Sequence, residues 1–203
     1  PLIAPFESKI KLSTAVLSVA KSDDKWQVTD SSGNAAMYDH VVFACHSDQA
    51  LKMIHSPTSL HRDILGNIPY AENDVVMHKD ISQLPKRKLA WASWNYSLKE
   101  DASEEARPAS VTYNMNILQR LEAQSTYCVT LNNTAEIDQK RILRRYQYAH
   151  PQYSASMVNA QARRNEICGV DNLHFCGAYW YNGFHEDGVT SALDVCSRFG
   201  EDL

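Results

Sequence analysis

Leu173 to Leu193 reads LHFCGAYWYNGFHEDGVTSAL, and this stretch decides the fold. Leu173 to Cys176 is a short apolar run that predicts a strand, ending at the small pair Gly177-Ala178. Tyr179 to Asp187 reads as a loop and Val189 to Phe199 as a helix that begins near Gly188. Val189, Ala192, Leu193, Cys196 and Phe199 recur with helical spacing and so share one face. Gly200 suits the position after the helix end. Small residues at the end of the strand let a ligand come close to the backbone, and Gly183 and Gly188 let the connection turn sharply. The first N–H groups of a helix lack intrahelical partners and carry partial positive charge, which suits a phosphate, a carboxylate or an electron-rich ring edge. An ordinary strand-to-helix connection with Asp187 as its cap satisfies the same spacing.

Working outward, Val41 to Ala44 is apolar without alternation, as expected for a strand buried on both faces. Before it, Lys11–Ala20, Trp26–Asp30 and Ala36–Tyr38 predict a small meander with turns at Ser22–Asp24 and Ser31–Asn34. After it, Ser47 is the expected cap of a helix over Asp48–Ile54, and Leu60–Ile68 predicts a second short helix. The middle of the chain differs. Val75–Lys79, Leu89–Tyr96, Ala109–Met115, Tyr127–Asn132 and Ile142–Tyr148 are strand-like runs separated by polar turns such as Lys99–Arg107. Consecutive strands without intervening helices favour an antiparallel sheet. Ser154 then caps a helix expected to reach Asn165.

Composition narrows the function classes. Apolar residues make up 44% of the chain and charged residues 22%, enough to build a core. A net charge of -4 lacks the basic footprint of a nucleic-acid binder. No apolar run approaches the roughly 20 residues that span a bilayer. Cys45, Cys128, Cys168, Cys176 and Cys196 form no C-x-x-C pair, and their odd number predicts reduced thiols in a cytoplasmic protein.

The residues from Phe175 to Trp180, followed by Gly183 to Gly188, closely resemble the C-terminal flavin motif of the amine-oxidase-like FAD-dependent oxidoreductases. Within that superfamily the chain is most similar to the predicted NAD/FAD-binding proteins related to the flavoprotein region of plant cyclopropane-fatty-acid synthases. Tyr38 to His46 with Asp48 to Leu51, Trp91 to Tyr96, Val111 to Tyr113 with Asn116, and Tyr148 to Pro151 fit the same pattern, so the resemblance covers nearly the whole chain. It implies an α/β plus α+β architecture. Residues 1–59 and 166–203 would form a partial FAD/NAD(P)-binding, Rossmann-like domain, and 60–165 a substrate domain built on the antiparallel sheet.

The resemblance also implies roles. Gly177 and Ala178 would approach the FAD pyrophosphate and ribityl chain, and the N–H groups of Gly188 and Val189 would face the flavin pyrimidine edge. Val16 falls where the superfamily contacts adenine through its backbone, and Ala44 ends a strand near the same cofactor. Gly183, His185, Glu186 and Asp187 lie in the connecting loop beside the flavin. Ala192 departs from the pattern, since many relatives carry Gly there. A larger departure concerns the GxGxxG segment that holds the ADP pyrophosphate. The glycines at 33, 66, 169, 177, 183, 188 and 200 do not supply that spacing. The expectation is a C-terminal portion of a longer enzyme that binds FAD weakly or not at all alone, and that associates into homo-oligomers through faces left apolar.

Trp94, Tyr113, Tyr179 and Trp180 are the candidate substrate pocket, with core packing as the rival fate of each. His185, Glu186 and Asp187 are adjacent and point in different directions, so no metal site is expected. His185 or Glu186 could act as acid or base or could simply hold the loop, and no residue is assigned a catalytic role. Cys176 reads as inert packing at a strand end. The function expected of the complete protein is hydride transfer from a substrate C–H bond to FAD. Aromatic residues and the link to cyclopropane-fatty-acid synthase suggest an apolar or acyl-chain small molecule, although an amine is also compatible. The alternative is a non-catalytic, truncated or split module that needs a partner to bind FAD.

Overall fold

A computed structural model describes residues 3–97 and 110–201. The expected turn at Lys99–Arg107 lies outside the described residues. The chain divides into two compact units, Pro1–Pro69 with Pro151–Leu203, and Tyr70–His150.

The first unit opens with an antiparallel meander of β1 (Val16–Ser22), β2 (Lys25–Asp30) and β3 (Ala35–Tyr38). β1 starts five residues later than expected because Ser13 takes a positive φ of 53°, which breaks the extended run from Lys11. The β2–β3 turn is organised by Asp30, whose Oδ1 accepts the N–H groups of Ser32 and Asn34 at 2.9 and 3.1 Å. β4 (Val41–Phe43) follows, then α1 (Ser47–Met53) and α2 (Ser59–Leu65). Ser47 is the first residue of α1 and His46 its cap, not Ser47 itself.

β5 (Tyr70–His78), β6 (Trp94–Ser97), β7 (Ser110–Asn114), α3 (Met115–Leu118), β8 (Cys128–Leu131) and β9 (Ile142–Pro151) make the second unit. Its sheet has the order β6-β7-β8-β5-β9, antiparallel at β6–β7, β7–β8 and β5–β8. Strand formation begins at Trp94, not Leu89, because Lys88–Ala90 closes into a 3₁₀ turn.

The chain then returns to the first unit with α4 (Ala155–Ala162), β10 (Leu173–Phe175) and α5 (His185–Cys196). Ser154 caps α4 as expected, its hydroxyl accepting the Met157 N–H at 3.2 Å. β10 pairs in parallel with β4, in register Phe175 to Phe43. The rings of these two residues stack 5.2 Å apart and 7° from parallel, at the centre of a core that includes Val19, Ile54, Ile64, Leu65, Met157, Ile167 and Leu173. β4 is buried on one face only: Phe43 is 4% exposed and Val42 46%.

Candidate functional site

Parallel pairing puts the carboxyl ends of β4 and β10 side by side. The Cys176 N–H donates to the Phe43 carbonyl at 3.0 Å, so Ala44 follows Phe43 at the same edge where Gly177 and Ala178 follow β10. Ligands of open α/β sheets bind beyond such carboxyl ends. Burial pushes the thiols of Cys45 and Cys176 above their ordinary range, which keeps both protonated at this edge.

The connection out of β10 is held by hydrogen bonds. Ala178–Trp180 forms a 3₁₀ turn, and the Gly183 N–H returns to the Ala178 carbonyl at 3.2 Å. A Cβ on Gly177 would lie 2.4 Å from Cε1 of Tyr179, and one on Gly183 2.5 Å from the Tyr153 hydroxyl. Packing within the protein therefore already accounts for both glycines. Gly188 is different. A Cβ there would meet Ala178 at 3.9 Å, an ordinary contact, so nothing in the fold requires a glycine at that position.

α5 starts at His185, three residues before the expected point near Gly188. Asp187 causes the shift. Its carboxylate accepts the Phe184 N–H at 2.8 Å and closes the first turn, and the Gly188 N–H then bonds the Phe184 carbonyl at 3.2 Å. The N–H groups without an i−4 partner belong to the turn at His185–Asp187, not to Gly188 and Val189. Glu186 and His185 are exposed, and Val189 is 47% exposed.

The face of α5 that turns inward is Ser191 and Val195, not the apolar stripe of Val189, Ala192, Leu193, Cys196 and Phe199. Ser191 Oγ accepts the Gly177 N–H at 2.8 Å and donates to the Gly188 carbonyl at 2.9 Å. Arg164, 8% exposed, fixes the same rotation. One of its terminal nitrogens reaches the carbonyls of Phe175 and Ser191 at 2.9 and 2.7 Å, and the other pairs with Asp194 at 2.6 Å. Nothing in the local pattern around Arg164 marks it as a partner of this segment.

Tyr179 and Trp180, expected in a substrate pocket, are each 4% exposed and pack against one another, with the Arg164 guanidinium 5.4 Å from the Trp180 ring. Trp180 also borders a cavity of about 380 Å³, whose wall includes Arg164, Asp194, Arg198 and Gln161. That wall is polar and offers little to an apolar substrate. Val16 stands at the start of β1, 37% exposed, in a different sheet from the strands β4 and β10 that Ala44 and Gly177 follow.

Trp94 and Tyr113 are brought together in the second unit. They are register partners on β6 and β7, with rings 5.5 Å apart and tilted by 68°. The row continues through Val129 and Met77, and a second row runs Tyr96, Val111, Leu131 and Val75. Trp94 and Tyr96 are 53% and 61% exposed. Tyr146 and Tyr148 lie two apart on β9, at the far edge of the same sheet, and so share one face of that strand. Those two rings stack 5.6 Å apart. Sequence reading missed Tyr96, Tyr146 and Tyr148, although period-two alternation with Trp94 and within β9 is their signal. The opposite face carries a buried polar row: His78 Nε2 lies 2.7 Å from Thr130 Oγ1, which lies 2.8 Å from Thr112 Oγ1.

Among the described residues no group of three or more His, Cys, Asp or Glu side chains could hold a metal ion, and no helix is long and apolar enough to cross a membrane.

No protein-family profile matches the chain, and no curated protein matches it. Solved structures do. A putative protoporphyrinogen oxidase from Exiguobacterium sp. 255-15 aligns with a TM-score of 0.64 and 12% identity over 98% of this chain and 50% of that one. A CLA-producing fatty acid isomerase from P. acnes aligns with a TM-score of 0.60 and 13% identity, covering 92% of this chain and 47% of the other. Putrescine oxidase gives a TM-score of 0.58 and 11% identity over 97% and 51%. The chain spans about half the length of each of these proteins. The resemblance read in the sequence thus holds at the level of fold: the chain has the fold of about half of each of these proteins.

Proposed function

We propose that the chain is the C-terminal part of an FAD-dependent oxidoreductase that removes hydride from a C–H bond of an apolar small molecule. The observation that carries this reading is a convergence. The carboxyl ends of β4 and β10, bearing Ala44 and Ala178, meet the opening turn of α5 at Gly188, a glycine the fold itself does not need. These residues fit a dinucleotide: small side chains at the strand ends permit backbone approach, and the turn at His185–Asp187 offers helix-end N–H groups. FAD, when bound, supplies the hydride acceptor. Ala44, Gly177, Ala178 and Gly188, with the helix-end N–H groups of His185–Asp187, would hold it, and the unit of Tyr70–His150 would be the substrate side.

The aromatic face of Trp94, Tyr96 and Tyr113 supports an apolar substrate, which it would orient by contact area and shield from water. The dinucleotide-binding segment with GxGxxG is supplied by polypeptide outside these residues, consistent with a chain that spans half of each structure it resembles. The exposed stripe of Val189, Cys196 and Phe199 fits burial against that segment or in a homo-oligomer. Five free cysteines fit a cytoplasmic location.

The test is anaerobic reduction of the intact protein's flavin by candidate substrates. Bleaching of the flavin band by apolar or acyl-chain compounds is expected. Bleaching by polyamines alone would overturn the substrate assignment.

A further inference from the structure

α4 and the residue pair at its C-terminal end grip both sides of the candidate cofactor segment. Gln161 Nε2 donates to the carbonyls of Tyr179 and Tyr181 at 2.8 and 2.7 Å, which fixes the loop after β10. Arg164, in the 3₁₀ turn just after α4, holds the last carbonyl of β10, at Phe175, and the Ser191 carbonyl of α5. It also pairs with Asp194 at 2.6 Å, and the same carboxylate oxygen accepts the Tyr181 hydroxyl at 2.6 Å. Tyr153, just before α4, donates its hydroxyl to the Tyr181 carbonyl at 3.2 Å.

These contacts have one geometric consequence. The carboxyl end of β10, the loop of Ala178–Gly183 and the opening turns of α5 are not held to one another by apolar packing alone. Of the stripe of α5 expected to bury itself, Val189, Cys196 and Phe199 are exposed and Ala192 and Leu193 only half-buried, and the fully inward residues are Ser191 and Val195. The placement of the helix start against the strand end is therefore set by polar bonds from Arg164 and Ser191, and Gln161 holds the loop between them. A planar guanidinium holds two carbonyls and a carboxylate in fixed directions, which a lysine ammonium does not reproduce.

We infer that Gln161 and Arg164 are positioning residues for the flavin: they touch no substrate or cofactor, but Arg164 fixes α5 against the end of β10 and Gln161 fixes the loop that joins them, the edge at which the cofactor would be held. The inference rests on the FAD reading given above. Its consequence is that cofactor affinity, and not only stability, depends on a helix outside the flavin motif.

The experiment uses the intact protein expressed from its own gene, as wild type, Arg164→Lys and Gln161→Ala. Each is stripped of flavin and titrated with FAD, following quenching of flavin fluorescence. Thermal unfolding of the apo forms and the near-ultraviolet circular dichroism of the bound flavin are recorded in parallel. Arg164→Lys retains the charge opposite Asp194 but loses the paired carbonyl bonds. It is expected to weaken FAD binding by at least about tenfold and to alter the dichroism of the bound flavin, the size of effect one lost charged hydrogen bond carries. Gln161→Ala, at a half-buried site, is expected to act in the same direction and serves if the Arg164 variant fails to fold. Variants that unfold earlier yet bind FAD as tightly as wild type, with unchanged dichroism, would show purely structural roles and overturn the inference. A wild type that binds no FAD would instead sink the flavin reading, and the inference with it.

Discussion

The hydroxyl of Ser191 sits 2.8 Å from the backbone nitrogen of Gly177 and 2.9 Å from the carbonyl of Gly188, and it is completely buried. One side chain thus ties the strand end to the first turns of the helix that follows the loop. Ser191→Ala leaves a backbone N–H without its partner. The expected cost is about 1–3 kcal/mol of unfolding free energy, read by urea denaturation of the variant against wild type. A change below a few tenths would mean that water replaces the hydroxyl at Gly177.

Gly183 and Gly188 separate packing from ligand approach. Gly183 has φ of +87°, and a Cβ would strike the Tyr153 hydroxyl, so Gly183→Ala is expected to destabilise by about 1–3 kcal/mol. Gly188→Ala meets only an ordinary contact and replaces a helical glycine. It is expected to leave stability unchanged or raise it by about 0.4–1 kcal/mol while weakening FAD binding. Melting temperatures and FAD titrations of the two variants are the check. A Gly188→Ala protein that binds FAD normally would remove Gly188 from the site.

Acid sensitivity should begin with histidines. Burial lowers the basicity of His61, His78 and His174, in each case as the largest cause, with His40 and Arg198 adding to the effect at His174. Their neutral forms are favoured in the folded state. The stability this contributes is present above the ordinary histidine value of about 6.5 and is lost as pH falls below it. His78 is held neutral: its Nδ1 accepts the Asp80 N–H at 3.0 Å, so the proton sits on Nε2, facing Thr130. The melting temperature is expected to fall between pH 7 and pH 5. The fall should be shallower in His78→Gln, measured by calorimetry across that range. An equal slope in both proteins would remove His78 as a source of the dependence.

Thiol labelling should follow exposure. Cys196 is exposed, whereas Cys128 is fully buried and burial pushes its thiol up to about 11. Iodoacetamide at pH 8 is expected to leave Cys128 unmodified in the folded protein, as read by peptide mass spectrometry, and to label Cys196 wherever no further polypeptide or second copy covers the exposed stripe of α5. Early labelling of Cys128 would indicate opening of the sheet of β5 to β9.

The sheet strands were legible because β-branched and aromatic residues alternate between turns, as at β2 and β7, and because Ser154 announces α4. The register that joins Trp94 to Tyr113 was not, since it depends on which strands become neighbours. α5 shows the limit most clearly. Its apolar stripe predicts one buried face, yet Ser191 and Val195 turn inward because Gly177 and Arg164 need the hydroxyl and carbonyl of Ser191. Those partners lie 14 and 27 residues away, beyond any local pattern. Tyr179 and Trp180 read as loop aromatics free to line a pocket. A single 3₁₀ turn over Ala178–Trp180 instead sends both rings into the core.

The most direct measurement is the flavin content of the intact protein purified from its own gene. One FAD per chain, released on denaturation and lost on separating these residues from the rest of the polypeptide, is the expected result. A protein that carries no flavin and does not take up FAD on reconstitution would contradict the assignment. The edge formed by β4, β10 and α5 would then be a retained fold without its cofactor.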